Sequence, residues 1–326
     1  MKILAVEAYG QNAELSVLEA PEPTPGRGEV KVRVEAVGLN PVDAYILSGN
    51  YALRPELPFV PGFDGAGVVV EVGSGVEEFT KGQKVFFLRP QPGAAASFQI
   101  LASDCVAPLP EGLSFAQGAA LGIPYATAHT ALRQIGCWHP GASVFIHGAT
   151  GAVGGAAIDW LEYWRENTND AHPPIVASAG TREGLERLLQ RPSVSIVDHR
   201  EADHLEKASE FANGEGFAIV LEMNAHWYLG KVVRLLAIEG RVVVIGNQGE
   251  SVLNARDLMA RHGSVSGVSL FQVGTVQRQK ILQEIARAPA GTWNPQVRDP
   301  IPFSQAGQAF RNLTAGQTHP KWVLKP

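Results

Sequence analysis

A short apolar run that leads into a glycine-rich turn most restricts what this 326-residue chain can fold into. Residues 144–146 are predicted to form a buried strand, and residues 153–164 carry a helical pattern. Between them, the spacing Ala149-x-Gly151-x-x-Gly154 is that of a dinucleotide-binding fingerprint whose first glycine is replaced by alanine. A strand, a glycine turn and a helix in this order present backbone N–H groups to a pyrophosphate. A tight turn that binds nothing has the same pattern, so the following segments must decide between these interpretations.

Strand and helix patterns continue to alternate after this turn. Apolar strands are predicted at residues 174–180, 194–197, 217–221 and 241–245, and a helix at residues 182–190. This alternation predicts an α/β fold with a doubly wound parallel Rossmann sheet. Ligands of such sheets bind at the carboxyl ends of the strands. Those ends carry Gly148, Gly180, residues 222–224 and residues 246–248.

The end of the second predicted strand bears on which nicotinamide cofactor would bind. NAD sites usually place Asp or Glu there to hold the ribose 2′-hydroxyl, whereas this chain has Ser178-Ala-Gly-Thr-Arg182. No acid in this segment repels a 2′-phosphate, and Arg182 can pair with one bidentately. Asp198 would repel a phosphate if it pointed inward, and Arg182 is alternatively a solvated residue of a first helical turn. The sequence favours NADPH over NADH.

Composition excludes several other classes of protein. The net charge of −5 argues against a general binder of nucleic acid or of membrane surfaces. No apolar stretch reaches the length of a membrane helix, and the first residues resemble a strand and not a signal peptide. Two cysteines, Cys105 and Cys137, are too few for a disulfide framework or a cysteine-built metal site. We therefore expect a cytoplasmic protein with no membrane partner.

The chain divides into two domains by pattern. Residues 1–122 contain short alternating strands separated by Gly and Pro clusters, which is typical of a small β-barrel. Residues 123–267 contain the Rossmann pattern. Residues 268–326 contain two helices, at 275–288 and 304–313, and a terminal strand at 321–324, and we expect them to rejoin the first domain. Residues 160–173 are polar and aromatic, and are predicted to extend the first Rossmann helix into a surface loop.

Seven stretches carry a resemblance to one family: residues 38–45, 48–51, 61–67, 118–125, 147–154, 198–201 and 267–271. They resemble the zinc-free quinone oxidoreductases of the zeta-crystallin type, in the medium-chain dehydrogenase/reductase superfamily. The resemblance implies a Rossmann domain inserted into a GroES-like β-barrel catalytic domain. It also implies NADPH as cofactor and a homodimer or homotetramer, in which residues 265–271 form an apolar strand that pairs the Rossmann sheets edge to edge.

The resemblance also bears on whether this chain binds a catalytic zinc ion. Zinc-bearing relatives have a cysteine where this chain has Asn40, and a His-Glu pair where it has Phe63 and Asp64. A catalytic zinc needs three protein ligands, so no metal site is expected here. Without a Lewis acid, reduction of an electron-poor acceptor fits better than oxidation of an alcohol. Asp64 is expected to fix a turn or a helix end.

The resemblance implies three catalytic residues, Asn40, Tyr45 and Tyr51. The Asn40 amide can donate to a carbonyl oxygen, and either tyrosine can donate from its hydroxyl or stack on a planar ring. The alternatives are a turn-forming asparagine before Pro41 and tyrosines that only pack.

The cofactor contacts implied are more numerous, and His199 is among them because the matching histidine lies near the adenosine phosphate in the family. Residues 224–228 depart from the family's pattern and are assigned no contact. The expected cofactor-binding residues are Tyr45, Ala149, Thr150, Gly151, Ala152, Val153, Gly154, Ser178, Gly180, Thr181, Arg182, His199, Ile245, Gly246, Asn247, Gln248, Val268, Ser269 and Leu270.

Three functional hypotheses follow. The first is NADPH-dependent reduction of quinones by zinc-independent hydride transfer in a cleft between the two domains. The second uses the same residues on the C=C bond of a 2-alkenal or enone. The third is a non-catalytic NADPH-binding protein of the crystallin-like or RNA-binding kind, although the acidic net charge makes a nucleic-acid partner unlikely.

Overall fold

The computed structural model describes residues 1–10, 13–49, 51–89, 91–166 and 172–326. These residues form two compact units. Unit 1 comprises Met1–Ala126 and Phe271–Pro326, and unit 2 comprises Thr127–Leu270.

Unit 1 is mainly antiparallel β-structure. Its elements are β1 (Lys2–Val6), β2 (Leu15–Glu19), β3 (Glu29–Gly38), α1 (Pro41–Leu47), β4 (Asp64–Val72), β5 (Lys84–Leu88), β6 (Phe98–Ala102), β7 (Val106–Pro108), α2 (Phe115–Gly118) and the start of α3 (Gly122–His129). After unit 2, the chain adds the last elements of unit 1, which are α9 (Thr275–Arg287), β14 (Ile301–Pro302), α10 (Ala306–Thr314) and β15 (Val323–Lys325).

Unit 2 alternates strand and helix. Its elements are β8 (Val144–His147), α4 (Ala152–Glu166), β9 (Ile175–Ala179), α5 (Arg182–Leu188), β10 (Val194–Asp198), α6 (His204–Phe211), β11 (Phe217–Glu222), α7 (Ala225–Val232), β12 (Leu236–Val244), α8 (Ala255–Met259) and β13 (Ser264–Gly267).

The long strand β3 organises the sheet of unit 1. It pairs antiparallel with β4, β6 and β15, and the order along the sheet is β14-β15-β3-β4-β5-β7. Valines at alternate positions of β3, Val30, Val32 and Val34, are buried against the same core as Phe87 and Phe310. The C-terminal segment therefore belongs to the first unit, because β15 and α10 complete its sheet and its core.

The sheet of unit 2 has the Rossmann arrangement. Six parallel strands are ordered β10-β9-β8-β11-β12-β13, so the direction of strand addition reverses between β8 and β11. The central strands β8, β9 and β11 are almost entirely buried, as expected of a parallel sheet with both faces covered. The predicted fold class, a doubly wound α/β sheet inserted into a β-domain, is confirmed.

Two predicted strands differ from the structure. The strand expected at 241–245 begins at Leu236, because Glu239 and Gly240 interrupt the apolar run of its sequence. The strand expected at 265–271 ends at Gly267 and is followed by a short 3₁₀ turn at Leu270–Gln272. The predicted extension of the first Rossmann helix beyond residue 160 is confirmed as far as Glu166, with Trp160 and Trp164 buried. Residues 167–171 lie outside the described residues.

Candidate cofactor and acceptor sites

The glycine-rich turn joins β8 to α4 beside the reversal in strand order. Gly148 has φ +86°, a left-handed conformation that favours glycine. Its N–H donates to Ser178 Oγ at 2.9 Å, and the Ala149 N–H donates to the Ser178 carbonyl at 2.8 Å. These bonds tie the turn to β9. Helix α4 starts at Ala152. The first backbone N–H groups of a helix have no hydrogen-bond acceptor within that helix.

Two glycines of this turn have different surroundings. A Cβ on Gly154 would lie 2.6 Å from Ala149 Cα, so this glycine is needed for the close approach of α4 to the turn. A Cβ on Gly151 would meet only the Gly148 carbonyl oxygen, at an ordinary 3.7 Å. The space over Gly151 is therefore open on the protein side, which fits a phosphate cradle at the helix N-terminus.

The end of β9 contains the residues predicted to distinguish a 2′-phosphate from a 2′-hydroxyl on the adenosine ribose of the cofactor. Ser178 is fully buried, and Thr181 caps α5 by accepting the Gly184 N–H at 3.0 Å. Arg182 is exposed, and its Nε donates to Glu186 Oε1 at 2.8 Å. An exposed i,i+4 pair of this kind contributes only about 0.3–0.5 kcal/mol, so the guanidinium can leave Glu186 for a stronger anion.

The acid at the end of β10 is already neutralised. Asp198 accepts three side-chain hydrogen bonds from Arg200, from Nη2 to Oδ2 at 2.5 Å and from Nε to Oδ1 at 3.0 Å and to Oδ2 at 3.1 Å, and it also accepts the Arg200 backbone N–H. These hydrogen bonds lower the pKa of Asp198 to about 2. The carboxylate therefore lies in an ion pair with Arg200. This pairing offsets the repulsion that Asp198 alone would exert on a 2′-phosphate. Arg200 adds a cation that the list of expected residues lacks.

His199 belongs to a cluster of aromatic and acidic side chains. The His199 ring lies against Gly180. A Cβ added to Gly180 would come within 1.9 Å of His199 Nε2. His147 and His204 stack with an interplanar angle of 8°, and Tyr228 contacts both rings edge-on. Burial, and then the neighbouring His147 and His204, lower the pKa of His199.

A buried carboxylate organises this cluster. Glu222 is fully buried at the end of β11, binds His147 Nδ1 at 2.8 Å and accepts the Asn224 N–H at 2.6 Å. Sequence reasoning missed the cluster because its members lie far apart in the chain: His147 and Glu222 end strands, His199 follows β10, and His204 and Tyr228 lie on α6 and α7. The only signal was the position of His147 and Glu222 at predicted strand ends.

The remaining expected contacts also end strands of unit 2. Ile245 to Gln248 follow β12, where a Cβ on Gly246 would lie 2.2 Å from the Met223 carbonyl oxygen of the neighbouring strand end. Asn247 donates to the Gly249 carbonyl and accepts from Ser251. Val268 follows β13 and donates its N–H to Val244 at 3.0 Å, and Ser269 and Leu270 come directly after it. The structure thus brings the predicted cofactor residues, Tyr45 apart, to one edge of the sheet of unit 2.

In unit 1, Asn40 is the N-cap of α1 and is almost completely buried. Its Nδ2 donates to Asp64 Oδ1 at 2.9 Å, and its Oδ1 accepts from Lys321 Nζ at 2.5 Å. The amide that the sequence assigned to an acceptor carbonyl is therefore held by protein groups. The role of Asn40 as a donor to an acceptor carbonyl stays a prediction.

Asp64 is buried in the same network. Its Oδ2 accepts the Ile123 N–H at 2.9 Å in the first turn of α3 and lies 3.2 Å from Lys321 Nζ. The expectation that Asp64 fixes a helix end is confirmed.

A second carboxylate, Asp43, joins the network from within α1. It accepts the Asn40 N–H at 2.8 Å and the Gly62 N–H at 3.1 Å. Burial raises the pKa of Asp43 to about 7, against the lowering effect of the Asn40 hydrogen bond and with a further raising effect of the nearby Asp64.

This shifted pKa predicts a pH dependence of stability. Folded Asp43 keeps a proton that the unfolded chain releases near its ordinary pKa of 3.8, so its contribution favours the folded state below that pH and is lost as the pH rises to about 7. At roughly 1.4 kcal/mol per pKa unit, the full loss amounts to a few kcal/mol. Thermal unfolding of the wild type and of Asp43→Asn across this range checks it. The variant should lack this decline, and parallel curves for the two proteins would contradict it.

Tyr45 and Tyr51 lie in a row of aromatic rings. Their rings stack with centroids 6.3 Å apart, Tyr51 is 6.3 Å from Phe271, and Phe271 is 5.5 Å from the buried Phe63. Tyr45 and Phe271 are each more than a third exposed. Burial, and then the neighbouring Tyr45, raise the pKa of Tyr51. The sequence had not linked Phe271 and Phe63 to the tyrosines, although both lie in stretches that carry the resemblance. Tyr45, Tyr51 and Phe271, the last of which packs on the buried Phe63, form a partly exposed aromatic surface suited to a flat, electron-poor molecule.

Two searches of the described residues bear on other classes of site. No helix among them is both long and apolar enough to cross a membrane. No group of three or more His, Cys, Asp or Glu side chains within the same ranges is arranged to hold a metal ion.

Comparison with known proteins identifies the family. The alcohol dehydrogenase GroES-like domain family matches residues 26–120, and the zinc-binding dehydrogenase family matches residues 194–324. The quinone oxidoreductase of Homo sapiens is 37% identical over 295 residues, which is 90% of this chain and 88% of that protein. That of Rattus norvegicus is 38% identical over 89% of this chain and 87% of its own length.

Solved structures agree with the sequence relatives. The quinone oxidoreductase of Escherichia coli, solved in complex with NADPH, superposes with a TM-score of 0.83 at 25% identity over 100% of both chains. The CurK enoyl reductase has a TM-score of 0.80 at 24% identity over 99% of this chain and 98% of its own, which is a likeness of fold. With two domain families in the expected order and relatives above 30% identity over most of its length, this chain belongs to the quinone oxidoreductase family of the medium-chain dehydrogenase/reductase superfamily.

Proposed function

We propose that this protein is an NADPH-dependent quinone oxidoreductase that works without a metal. The family supports a nicotinamide-dependent oxidoreductase. The observation that carries the finer proposal is the pairing of a phosphate cradle at Gly151 with a ribose end that presents cations and no uncompensated acid. When bound, the reduced nicotinamide supplies a hydride, which with a proton from solvent converts a quinone to its hydroquinone.

The choice of NADPH rests on charge at the ends of β9 and β10. An adenosine 2′-phosphate there would meet Arg182, which is weakly held by Glu186, and Arg200, which offsets Asp198. It would also meet His199 beside Gly180. A 2′-hydroxyl would find no free carboxylate at the end of β9 to accept its proton, since the described segment there is Ser178 to Arg182.

The choice of a quinone rests on the aromatic row in unit 1. Flat rings favour flat, electron-poor acceptors by stacking, and the Tyr45 hydroxyl can donate to an acceptor oxygen as negative charge develops. An aliphatic 2-alkenal offers less area for such stacking. We therefore place quinones before enals among the acceptors.

Rates of NADPH oxidation with 1,4-benzoquinone, with a 2-alkenal and with no acceptor test this function. We expect rapid oxidation with the quinone and a much lower rate with the alkenal. A higher kcat/KM on the alkenal would replace the substrate with an enone. Tight NADPH binding without turnover of either acceptor would replace the enzyme with a non-catalytic NADPH-binding protein.

Two substitutions on α5 test the choice of NADPH in opposite directions. Arg182→Ala should raise the Kd for NADPH by roughly ten- to a hundredfold, since one charge-assisted hydrogen bond is worth about 1.5–3 kcal/mol, and should leave the Kd for NADH nearly unchanged. Glu186→Gln frees Arg182 and should leave NADPH binding equal or slightly tighter. His199→Ala should act like Arg182→Ala but more weakly. Fluorescence titration measures each Kd, and equal losses for the two cofactors would contradict a 2′-phosphate contact at Arg182.

We also propose that the protein forms a homodimer or a higher even-numbered oligomer through β13. This strand is the last of the sheet in unit 2, and its backbone pairs only with β12 among the described residues. An unpaired strand edge tends to pair with another chain. Light scattering at micromolar concentration should give at least twice the chain mass of 34.8 kDa, and a value equal to that mass would exclude the dimer.

A further inference from the structure

The network around Asn40 occupies positions that hold zinc in metal-bearing relatives, and its donor atoms do not fit a zinc ion. Phe63 offers no ligand atom, and a catalytic zinc needs three. The Asn40 oxygen already faces the Lys321 ammonium at 2.5 Å. Asp64 uses Oδ1 for Asn40, and Oδ2 for the Ile123 N–H and for Lys321. Asn40 Oδ1 and Asp64 Oδ2, which a metal would need, thus face an ammonium, and Asp64 Oδ1 faces the Asn40 amide.

A glycine beside the buried lysine leaves space for the Lys321 side chain. Lys321 is buried and lies two residues before β15. β15 pairs with the end of β3 at Gly38. A Cβ on Gly38 would come within 2.0 Å of the Ala119 carbonyl oxygen, 2.6 Å of Lys321 Cε and 2.9 Å of Asp64 Oδ1. A side chain at position 38 would therefore block the path of the lysine to Asn40 and Asp64.

We propose that the Lys321 ammonium is the resident cation of this pocket, in place of a metal, and that Lys321 is a positioning residue for the acceptor site. The first part stands on the contacts alone. The second part rests on the proposed quinone reductase function.

A chain of hydrogen bonds connects Lys321 to the acceptor-side rings. Lys321 holds the Asn40 side chain, and Asn40 caps the first turn of α1 through its backbone bond to Asp43. Asp43 in turn ties α1 to the Gly62 N–H, one residue before Phe63. Tyr45 lies on α1, and Phe63 belongs to the same aromatic row. A buried cation from the C-terminal segment therefore fixes the helix and the loop that carry the acceptor-side rings.

Charge removal in a double-mutant cycle tests the resident cation. Lys321→Met and Asp64→Asn each leave an uncompensated group in a buried network, and each should lower the thermal midpoint by roughly 5 °C or more. The double variant Lys321→Met/Asp64→Asn removes both charges and should recover most of that loss. Lys325→Met is the matched control, because Lys325 is an exposed lysine of the same C-terminal segment, and it should change the midpoint little. Strictly additive losses in the double variant would overturn the charge pair.

Zinc titration gives an independent readout of the same claim. Wild-type protein in a calorimeter with zinc chloride should show no binding that depends on Asp64. One zinc bound per chain, lost in Asp64→Asn, would overturn the ammonium as the resident cation.

Kinetics of the folded double variant test the positioning role. We expect kcat/KM for 1,4-benzoquinone to fall between about tenfold and a hundredfold, since a small misplacement of a reacting group has effects of that size. The Kd for NADPH should stay within about twofold, because the expected phosphate contacts lie in unit 2. Wild-type kcat/KM in this variant would overturn the positioning role. A wild-type enzyme that reduces no quinone would instead refute the proposed function and leave the charge-pair cycle as the test of Lys321.

Discussion

Gly151→Val should abolish NADPH binding while the protein remains folded. The substitution fits the protein, because the nearest atom to an added Cβ is the Gly148 carbonyl oxygen at 3.7 Å. It does not fit a ligand, since two methyl groups would occupy the space proposed for the phosphate. Loss of two charge-assisted hydrogen bonds, at about 1.5–3 kcal/mol each, would weaken binding by at least roughly a hundredfold. Calorimetric titration with NADPH measures the affinity, and circular dichroism measures the fold.

Two neighbouring glycines serve as controls. Gly155→Ala has open space around the added Cβ and should leave both binding and stability near wild type. Gly154→Ala would push a Cβ to within 2.8 Å of three backbone atoms of Ala149 and should lower the thermal midpoint, with overpacking costs of about 1–3 kcal/mol. Wild-type NADPH affinity in Gly151→Val would mean that the pyrophosphate does not bind at this turn.

Tyr45→Phe should produce the second large effect, this time on the acceptor side. If the hydroxyl donates to the acceptor oxygen in the transition state, its loss costs about 2–4 kcal/mol, which is a decrease in kcat/KM for quinone of roughly thirtyfold to a thousandfold. NADPH affinity should change little, because the residues proposed to hold the phosphates lie in unit 2. Steady-state kinetics with 1,4-benzoquinone and an NADPH titration separate the two effects.

The distribution of the loss between kcat and KM identifies the role of the ring. A fall in kcat indicates stabilisation of developing charge, whereas a rise in KM alone indicates that the ring only positions the acceptor. Tyr51→Phe should be milder, since Tyr51 is the more buried of the stacked pair. Wild-type kinetics in Tyr45→Phe would remove this tyrosine from the acceptor site.

The sequence alone was sufficient for the fold class and the family. Apolar runs that alternate with helical patterns predict a parallel sheet, because each strand must be covered on both faces by the helices between them. The glycine spacing after β8 predicted the turn at the reversal of strand order, since only residues without large side chains allow that close approach. Local chain geometry determines these features, so a single segment carries the information.

The contacts that decide the sites depend on residues far apart in the chain. Lys321 reaches Asn40 across 281 positions, Glu222 reaches His147 across 75, and Phe271 joins Phe63 in the aromatic row. No local pattern links such residues, because their separation in space is set by which strands become neighbours and where each strand ends. The chain by itself thus predicted the fold, the family and a nicotinamide cofactor. Only the tertiary structure turned Asn40 from a candidate donor into a residue held by a buried lysine, since only packing brings that lysine over Gly38.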